Sequence, residues 1–368
     1  MKSKPKELKS FLHKALVIFS LIFSGSLLIS YSASIINPEK FWLPAFWGLA
    51  YPYLLAANIL FVIYWVFRRR WSFLIPLIVI LIGHQQFSDF IQFNQSKPNT
   101  EDKSGINILT YNVRAFDKYE WTKDPKTPEN IIQLLKESKA GIFCFQEFRH
   151  TRTGKLSIYN LKKTTDCKYS YLGNKQNRVA IFTKYPIVKK GEINFAKGNW
   201  CNAIFVDLKI EGKMFRVYNL HLESNRLGGK NYAFINKKEF KGDEQELEEI
   251  KDISFRLRHA FMRRANQAKI IQKHISESPY PTIVCGDFND TSHSYSYSTI
   301  KNNLTDCFRE KGFGIGTTYS GDFPSFRIDF ILHDNKTVCN HYKRIKKKYS
   351  DHFPVYVELG ILTEEELN

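Results

Sequence analysis

The chain has 368 residues, which is enough for one large domain or two ordinary ones, and its formal net charge is +18. Such a basic chain suits a polyanionic partner, either nucleic acid or an anionic bilayer surface, but a lysine-rich solvated surface gives the same charge. Composition changes near residue 100, because large apolar residues dominate before it and alternate with polar residues after it. This asymmetry excludes a protein that is water-soluble along its whole length.

Residues 1–95 are predicted to form a membrane anchor. A helix needs about 20 residues to cross the hydrocarbon core of a bilayer, and three apolar stretches approach or exceed that length, at about residues 14–36, 41–67 and 71–93. Pro52 lies inside the second stretch and is expected to bend it. A cleaved signal peptide is an alternative interpretation of the first stretch, although its apolar run is longer than a usual signal core.

Basic residues that flank the stretches predict how the anchor is oriented in an inner or plasma membrane. The lysine-rich start of the chain and the three arginines at 68–70 are expected on the cytoplasmic side. Three spans then place the rest of the chain outside the cytoplasm, whereas two spans leave it inside. The third stretch weakens after Gly83, and His84 and Asp89 at its polar end are expected to be interfacial. Residues 96–104 are predicted to form a linker.

Residues 105–360 are predicted to form one α/β domain, followed by a short tail at 361–368. Short apolar runs typical of strands lie at 106–111, 141–145, 179–182, 203–209, 215–220, 282–285, 328–332 and 355–359. Amphipathic patterns predict helices at 129–138 and 243–276. Mixed strands with intervening helices predict two sheets packed together, with the helices outside.

Polar residues follow these strands at the points where the strands end. In chain order they are Asn112, Gln146 and Glu147, Asn219 and His221, Asp287 and Asn289, Arg327 and Asp329, and Asp351 and His352. Any one of them alone is explained by a turn or a surface position. Because neighbouring strands lie about 5 Å apart, side chains from several such ends are expected to line one cleft.

This ordered set resembles the endonuclease/exonuclease/phosphatase family, which includes the DNase I-like nucleases. Together with the apolar first part, it resembles a membrane-anchored bacterial member of that family. The most specific matches are G-D-F-N at 286–289, R-I-D at 327–329 and S-D-H at 350–352, supported by Gln146-Glu147. The resemblance implies a four-layer α/β sandwich and a Mg²⁺-dependent phosphoesterase, with Mn²⁺ as a substitute ion. Carboxylate and amide oxygens of this kind suit Mg²⁺.

The resemblance also implies a role for each matching residue. Metal-binding roles fall on Asn112, Glu147 and Asp351. Catalytic roles fall on His221, Asp287, Asn289, Asp329 and His352. In these roles Asp287 and Asn289 act on the attacking water, and Asp329 holds His352. Arg149 matches a DNA-contacting arginine of the nucleases and is a candidate for substrate binding.

The sequence leaves the substrate open. A nuclease fits the basic charge, whereas a phospholipid or phosphosugar phosphoesterase fits the membrane anchor. Arg114 and His221 differ from the Asp and Tyr of abasic-site endonucleases and count against that activity. The segment 225–249, with Tyr232 and Phe234, is interpreted as an insertion that forms either a flap over the cleft or a variable surface loop. The alternative function is a catalytically inactive, membrane-tethered binding module of the same fold.

Overall fold

The structure is a computed structural model that describes residues 4–94, 105–173, 178–195, 202–237, 242–321, 325–363 and 365–367. The predicted linker at 96–104 lies outside these residues. The helices are α1 (Lys4–Ser32), α2 (Leu43–Phe67), α3 (Leu74–Ile82), α4 (His84–Phe90), α5 (Thr127–Ser138), α6 (Ile158–Thr165), α7 (Gly229–Ile235), α8 (Glu244–Ser276), α9 (Tyr295–Lys301) and α10 (Cys307–Lys311). Short 3-10 turns cover Trp71–Phe73, Arg114–Asp117 and Glu365–Leu367.

The strands after residue 90 are mostly short. They are β1 (Gln92–Phe93), β2 (Gly105–Asn112), β3 (Ile142–Gln146), β4 (Tyr169–Leu172), β5 (Ala180–Thr183), β6 (Ile187–Glu192), β7 (Asn202–Ile210), β8 (Lys213–His221), β9 (Thr282–Asp287), β10 (Thr305–Asp306), β11 (Phe313–Gly314), β12 (Asp329–His333), β13 (Thr337–Arg344) and β14 (Val355–Ile361). The strands and the two helices predicted for the C-terminal domain are all present, with ends shifted by one or a few residues.

Two mixed sheets form the body of the C-terminal domain. Among the described residues, the first sheet has the strand order β10-β12-β9-β8-β7-β6 and the second has the order β13-β14-β2-β3-β5-β4. Strands β8 and β9 run parallel, as do β2 and β3. These two parallel pairs end at the same edge of the domain, which is where the candidate site lies.

The two sheets pack face to face, and helices cover their outer faces. The core between the sheets is made of fully buried aliphatic side chains such as Ile108, Ile181, Val206 and Ile283. Helices α5 and α6 pack on the outer face of the second sheet through residues that include Leu135 and Leu161. Helices α8 and α9 cover the first sheet through residues that include Ile271 and Ile300. This arrangement confirms the predicted four-layer α/β sandwich.

Edge strand β6 was not predicted from the sequence, and its composition explains why. Lys189 and Lys190 are exposed in the middle of this strand, and Val188 is also exposed. Charged residues on an edge strand prevent pairing with other chains but remove the apolar alternation by which strands are recognised. Strands β4 and β13 and helices α6, α7, α9 and α10 were also missing from the prediction.

Helices α1 and α2 are long and apolar enough to cross a membrane, with mean hydropathies of 1.9 and 1.7. They pack against each other, and Ser24 donates a hydrogen bond to Asn58 at 2.8 Å inside their interface. Their outer surfaces expose large apolar side chains, among them Phe19 and Leu60. Such a surface suits contact with lipid. Helix α2 continues through Pro52 as a single helix.

The third predicted span is broken. Trp71–Ile82 and His84–Phe90 meet at an angle of 68° at Gly83, so the chain could contain two spans, or three if this bent pair crosses as one. A Cβ atom at Gly83 would overlap the ring of Tyr31, so a close approach between α1 and the bend requires glycine there. The stretch at 71–93 is therefore not the straight helix that its apolar run suggested.

The predicted anchor packs directly on the C-terminal domain. The ring of Tyr51 in α2 stacks on His293 with 3.7 Å between ring centroids. Gly48 lies against the backbone of His293, and a Cβ at Gly48 would approach the His293 carbonyl oxygen to 2.9 Å. Phe46 meets Phe261 of α8 edge-on at 5.3 Å. The first two turns of α2 thus belong to the same packed unit as the domain.

Asp89 links α4 to the domain through ion pairs and hydrogen bonds. Its carboxylate lies 3.2 Å from Arg309 and 3.7 Å from Lys301, and its side chain is only 13% exposed. Its carbonyl oxygen accepts hydrogen bonds from Arg327 at 2.8 Å and from Ser292 at 3.1 Å. Asp89 was expected to be interfacial, whereas the structure buries it in an interface between α4 and the domain.

The substitution Asp89→Asn tests this docking. Removing the carboxylate leaves Arg309 and Lys301 without their partner and should lower the free energy of unfolding by about 1–2 kcal/mol, since all three groups are partly shielded from water. Thermal unfolding of the full chain in detergent, followed by tryptophan fluorescence, measures the change. Glu277→Gln is the control, because Glu277 pairs with Lys273 at 3.9 Å on an exposed helix face. Equal midpoints for the two variants would contradict the docking role.

Candidate active site

Strand register brings residues of the first sheet to one edge. In β8 and β9, which are parallel, His221 lies opposite Asp287, and in β9 and β12, which are antiparallel, Asp287 lies opposite Asp329. Three ionisable side chains therefore occupy neighbouring positions on three adjacent strands. This arrangement was expected from the polar residues at the strand ends, but the order of the strands comes only from the fold.

The second sheet supplies the facing edge. Asn112 and Gln146 are paired residues at the ends of the parallel strands β2 and β3, and Glu147 follows directly. Glu147 has a backbone φ of 48°, which is rare for a residue with a side chain. Such a backbone conformation is strained, and strained residues often occur at functional sites.

A buried amide pair joins the two sheets beneath the site. Gln146 donates a hydrogen bond to Asn219 at 2.6 Å, and both side chains have no exposed surface. Asn219 in turn donates to the carbonyl oxygens of Phe145 and Ala180, each at 2.9 Å. Buried amides of this kind are stable only when they are hydrogen-bonded, so the pair fixes how the two polar edges face each other.

The side chains of the two edges meet. The Asn112 amide donates to Asp287 Oδ2 at 3.0 Å and lies 3.4 Å from Glu147 Oε1. His221 Nε2 lies 3.7 Å from Asp287 and 4.0 Å from Glu147. The structure therefore brings these four predicted site residues together around one point.

The Asn112 amide is turned differently from the predicted metal ligand. Its nitrogen faces the carboxylates, while its oxygen accepts a hydrogen bond from the Arg114 backbone at 3.1 Å. A half-turn of the amide would present the oxygen instead, because the two amide atoms occupy nearly the same space.

His352 is held between two carboxylates. Its Nδ1 lies 2.8 Å from Asp329 and its Nε2 lies 3.6 Å from Asp287. Burial alone disfavours a charged imidazole, but Asp329 and Asp287 outweigh that effect and raise the pKa of His352 well above its ordinary value. The predicted pair of Asp329 and His352 is present, and a protonated His352 can donate hydrogen bonds to an anion.

Asp351 is engaged by an arginine. Its carboxylate lies 2.8 Å from Arg114, and burial raises the pKa of Asp351 despite the nearby positive charges of His352 and Arg114. Asp351 lies in the same cleft as Glu147 and Asp287.

Asn289 lines the cleft next to Asp287. Its backbone N–H donates to Asp287 Oδ1 at 2.8 Å, and its side chain donates to the carbonyl oxygen of Leu222 at 3.0 Å. Asn289 has a backbone φ of 51° and lies in the turn that follows the end of β9.

Arg149 occupies a different cavity. It lines a space of about 1000 Å³ together with Lys118, Lys123 and Arg178, and its guanidinium lies 5.8 Å from the ring centroid of Tyr119. The cleft that contains Asp287 has a volume of about 360 Å³, and Arg149 is not among its described lining residues. Tyr232 of the 225–249 insertion does line the cleft, and Phe234 is not among the described lining residues.

The charge of the site suits a divalent cation. Among the described residues, Asp351 is paired with Arg114 and Asp329 with His352, whereas Glu147 and Asp287 have no lysine or arginine within 4 Å. Carboxylates without a lysine or arginine partner favour a bound cation, and hard oxygen donors favour ions such as Mg²⁺.

The structure also contains a second, tighter group of potential ligands. Asp287, Asp329 and His352 offer ligand atoms that all lie within 4.8 Å of one another. His352 Nδ1 already lies 2.8 Å from Asp329, so the two side chains form a hydrogen-bonded pair at this position. Glu147 has no such partner among the described residues and is the better candidate for holding a cation.

Thr318 is a site residue that sequence reasoning missed. It is fully buried, and its hydroxyl accepts hydrogen bonds from the backbone N–H groups of Ile328 and Asp329, each at 3.0 Å. Its carbonyl oxygen accepts from Phe353 at 2.7 Å, beside His352. No motif marks Thr318, because it acts through contacts with distant parts of the chain.

Comparison with known proteins agrees with this geometry. The sequence model of the endonuclease/exonuclease/phosphatase family matches residues 109–352, and a model for a domain of unknown function, DUF8431, matches residues 13–90. No curated protein matches the chain.

Solved structures show the same fold. An endonuclease/exonuclease/phosphatase family protein from Bacteroides thetaiotaomicron is 18% identical with a TM-score of 0.53, over 71% of this chain and 99% of that one. The corresponding protein from Bacteroides vulgatus is 17% identical with a TM-score of 0.52, over 71% and 100%. D. rerio TDP2, complexed with a single strand DNA product, is 17% identical with a TM-score of 0.50, over 70% and 100%.

The family match covers more than half of the chain and includes every predicted site residue from Asn112 to His352. The chain belongs to the endonuclease/exonuclease/phosphatase family, whose members are hydrolases that act on phosphate esters.

Proposed function

We propose that this chain is a membrane-anchored, Mg²⁺-dependent phosphoesterase that hydrolyses a phosphodiester or a phosphomonoester. The observation that carries the proposal is that Glu147, Asp287 and His352 line one cleft, with His221 Nε2 3.7 Å from Asp287 and 4.0 Å from Glu147. A fold alone does not fix an activity, but this set of groups matches the needs of phosphate ester hydrolysis.

Glu147 would hold the cation, with the Asn112 amide turned to present its oxygen. Mn²⁺ is expected to substitute for Mg²⁺, because both ions accept oxygen ligands in octahedral geometry. When bound, the ion supplies positive charge next to the phosphoryl oxygens as negative charge builds up on them. Asp351 lies in the same cleft and pairs with Arg114 at 2.8 Å. In this mechanism Asp351 would hold a water molecule.

Asp287 is the group placed to take a proton from the attacking water. It is 1% exposed and is held by Asn112 at 3.0 Å and by the Asn289 backbone at 2.8 Å. The oxygen of water bonds to phosphorus, the bond from phosphorus to the leaving oxygen breaks, and that oxygen takes up a proton. One water molecule is consumed for each ester bond that is cleaved.

His352 and His221 supply hydrogen-bond donors for the phosphoryl oxygens. Asp329 holds the ring of His352 at 2.8 Å and favours its charged form. His221 Nε2 lies 3.7 Å from Asp287 and 4.0 Å from Glu147. Donors that are fixed before the reaction lower the barrier without reorganising during it.

The packing of the anchor supports a domain outside the cytoplasm. Trp65 near the end of α2 contacts His13 near the start of α1, with 5.3 Å between ring centroids, so these helices are antiparallel. Tyr31 at the other end of α1 donates to the carbonyl oxygen of Val79 at 2.9 Å. The segment from Trp71 thus returns to the end of α1 that faces the domain, as a third crossing would. With the arginines at 68–70 inside, the domain is expected outside.

Removal of the metal is the first test. A chelator should abolish hydrolysis of bis-para-nitrophenyl phosphate by the full chain, and added Mg²⁺ should restore it, because Glu147 then regains its counter-charge. The release of nitrophenol measures turnover, and circular dichroism shows whether the fold is kept. Turnover that persists in the chelator would refute metal dependence, and no turnover under any condition would favour the inactive binding module.

Two substitutions test the assigned roles. Asp287→Asn removes the proton acceptor and His352→Ala removes a fixed donor, so each should lower kcat by about 10²–10⁴-fold. The control is Asp166→Asn, since the Asp166 carboxylate is 89% exposed and far from the cleft. Near wild-type turnover in either site variant, with an unchanged unfolding midpoint, would contradict the mechanism.

Thr318 tests how the site is positioned. Thr318→Val leaves two buried N–H groups without an acceptor and should lower the free energy of unfolding by about 1–3 kcal/mol. Displacement of Asp329 should also lower kcat by about tenfold or more, with little change in KM. Thr318→Ser keeps the hydroxyl and should restore both quantities. A Val variant with wild-type kcat would show that Thr318 has no part in positioning Asp329.

A further inference from the structure

We infer that the substrate is a membrane lipid with a phosphate ester, bound with the phosphate at Asp287 and a hydrocarbon chain along an apolar wall shared by α2 and α8. The inference rests on the proposed function, since it names the substrate class of the same site.

Polar and apolar residues line the cleft together. Glu147, Asp287 and His352 are among the polar ones. The apolar wall consists of Leu49, Leu227, Ile235, Ile253, Leu257, Phe261, Phe326 and Ile328. All of these except Phe261 are only partly buried. A half-buried aliphatic wall next to a phosphate site suits a ligand whose phosphate is attached to hydrocarbon.

Helix α8 presents its part of the wall as a stripe. Ile253, Leu257 and Phe261 are spaced by four residues and therefore share one face of the helix. Phe261 contacts Phe46 of α2, and Leu49 lies about one turn further along α2. Leu49 of α2 and the residues of this stripe thus line the same cleft as Asp287.

The cleft does not resemble a track for a nucleic acid backbone. Each arginine that lines its described part is paired with a carboxylate: Arg114 with Asp351 at 2.8 Å, Arg226 with Glu223 at 2.6 Å and Arg264 with Asp290 at 2.9 Å. A polynucleotide requires several free cationic groups that neutralise successive phosphates. The paired arginines and the aliphatic wall favour one phosphate group joined to an apolar chain.

The level of Leu49 relative to the bilayer agrees with a lipid substrate. Helix α2 has 25 residues and is about 37 Å long, which exceeds the hydrocarbon core of about 30 Å. With the arginines at 68–70 at the far interface, the near boundary of the core falls close to Leu49. Trp42 and Trp47 then lie in the near interfacial region, where tryptophan is enriched. The mouth of the cleft therefore opens at the depth of lipid phosphates.

An alkyl series tests the inference whatever the headgroup of the lipid. The full chain in lipid nanodiscs is assayed with methyl and octyl para-nitrophenyl phosphate, which share one scissile bond. Burial of the longer chain on the wall should raise kcat/KM for the octyl ester by about tenfold or more over the methyl ester. Leu257→Asn makes the wall polar and should reduce this ratio by roughly fivefold or more.

Phe255→Asn is the matched control, because Phe255 is on the same helix, is 61% exposed and does not line the described cleft. It should keep the wild-type ratio, and it also accounts for simple partitioning of the octyl ester into the nanodisc. Equal ratios in the Leu257 and Phe255 variants would overturn the inference, as would equal rates for the two esters in the wild type.

A nucleic acid arm separates this inference from the proposed function. Plasmid DNA is incubated with the same preparation, and Asp287→Asn serves as the inactive reference. Nicking of plasmid without any preference for the octyl ester would overturn the lipid assignment and leave the phosphoesterase proposal intact. Absence of Mg²⁺-dependent hydrolysis of every ester and of DNA would remove both.

Discussion

The contact between Asp329 and His352 joins the two sheets at the site, and the arrangement of the cleft depends on it. Asp329 begins β12 in the first sheet, and His352 precedes β14 in the second, so their 2.8 Å hydrogen bond spans the sandwich. Asn112 and Asp287 make a second link across the same gap. In a buried setting such charge-assisted bonds are strong, and an unpaired charge would be costly. The polar edges of the sheets therefore fix each other in place.

The predicted anchor is continuous with this arrangement. Arg327, two residues before Asp329, is buried and hydrogen-bonds both Asp306 in the domain and the Asp89 carbonyl at the end of the anchor. Tyr51 stacks on His293, four residues after Asn289. The same chain segments thus carry candidate site residues and contact the apolar helices. An anchor that only retained the enzyme at the membrane would not need to pack against the segments that carry its active site.

The position of the cleft follows from this packing. Because α2 packs against α8 through Phe46 and Phe261, Leu49 of α2 and Leu257 of α8 line the same cleft as Glu147 and Asp287. The fold positions the candidate site, and the packing of α2 on α8 adds Leu49 to the lining of its cleft.

Sequence predictions held best where the signal is local. The buried strands β2, β3, β8 and β9 are visible as apolar runs, and the residues that follow them are visible as polar interruptions. Such predictions failed where the structure depends on distant contacts. Edge strand β6 carries exposed lysines in place of an apolar alternation. Thr318 accepts hydrogen bonds from backbone groups about ten residues away. The break at Gly83 lies against the ring of Tyr31, which is far away in the chain.

The sequence by itself determined the apolar helical character of residues 1–95, the α/β class of residues 105–360 and the residues that meet at the site. Each of these features follows from apolar periodicity or from short motifs. Only the tertiary structure decided that Arg149 lines another cavity, that Asp89 is a docking residue and that Leu49 borders the catalytic cleft. These facts depend on which surfaces pack together, and packing is set by the shapes of elements far apart in the chain. Residue spacing along one chain does not contain that information.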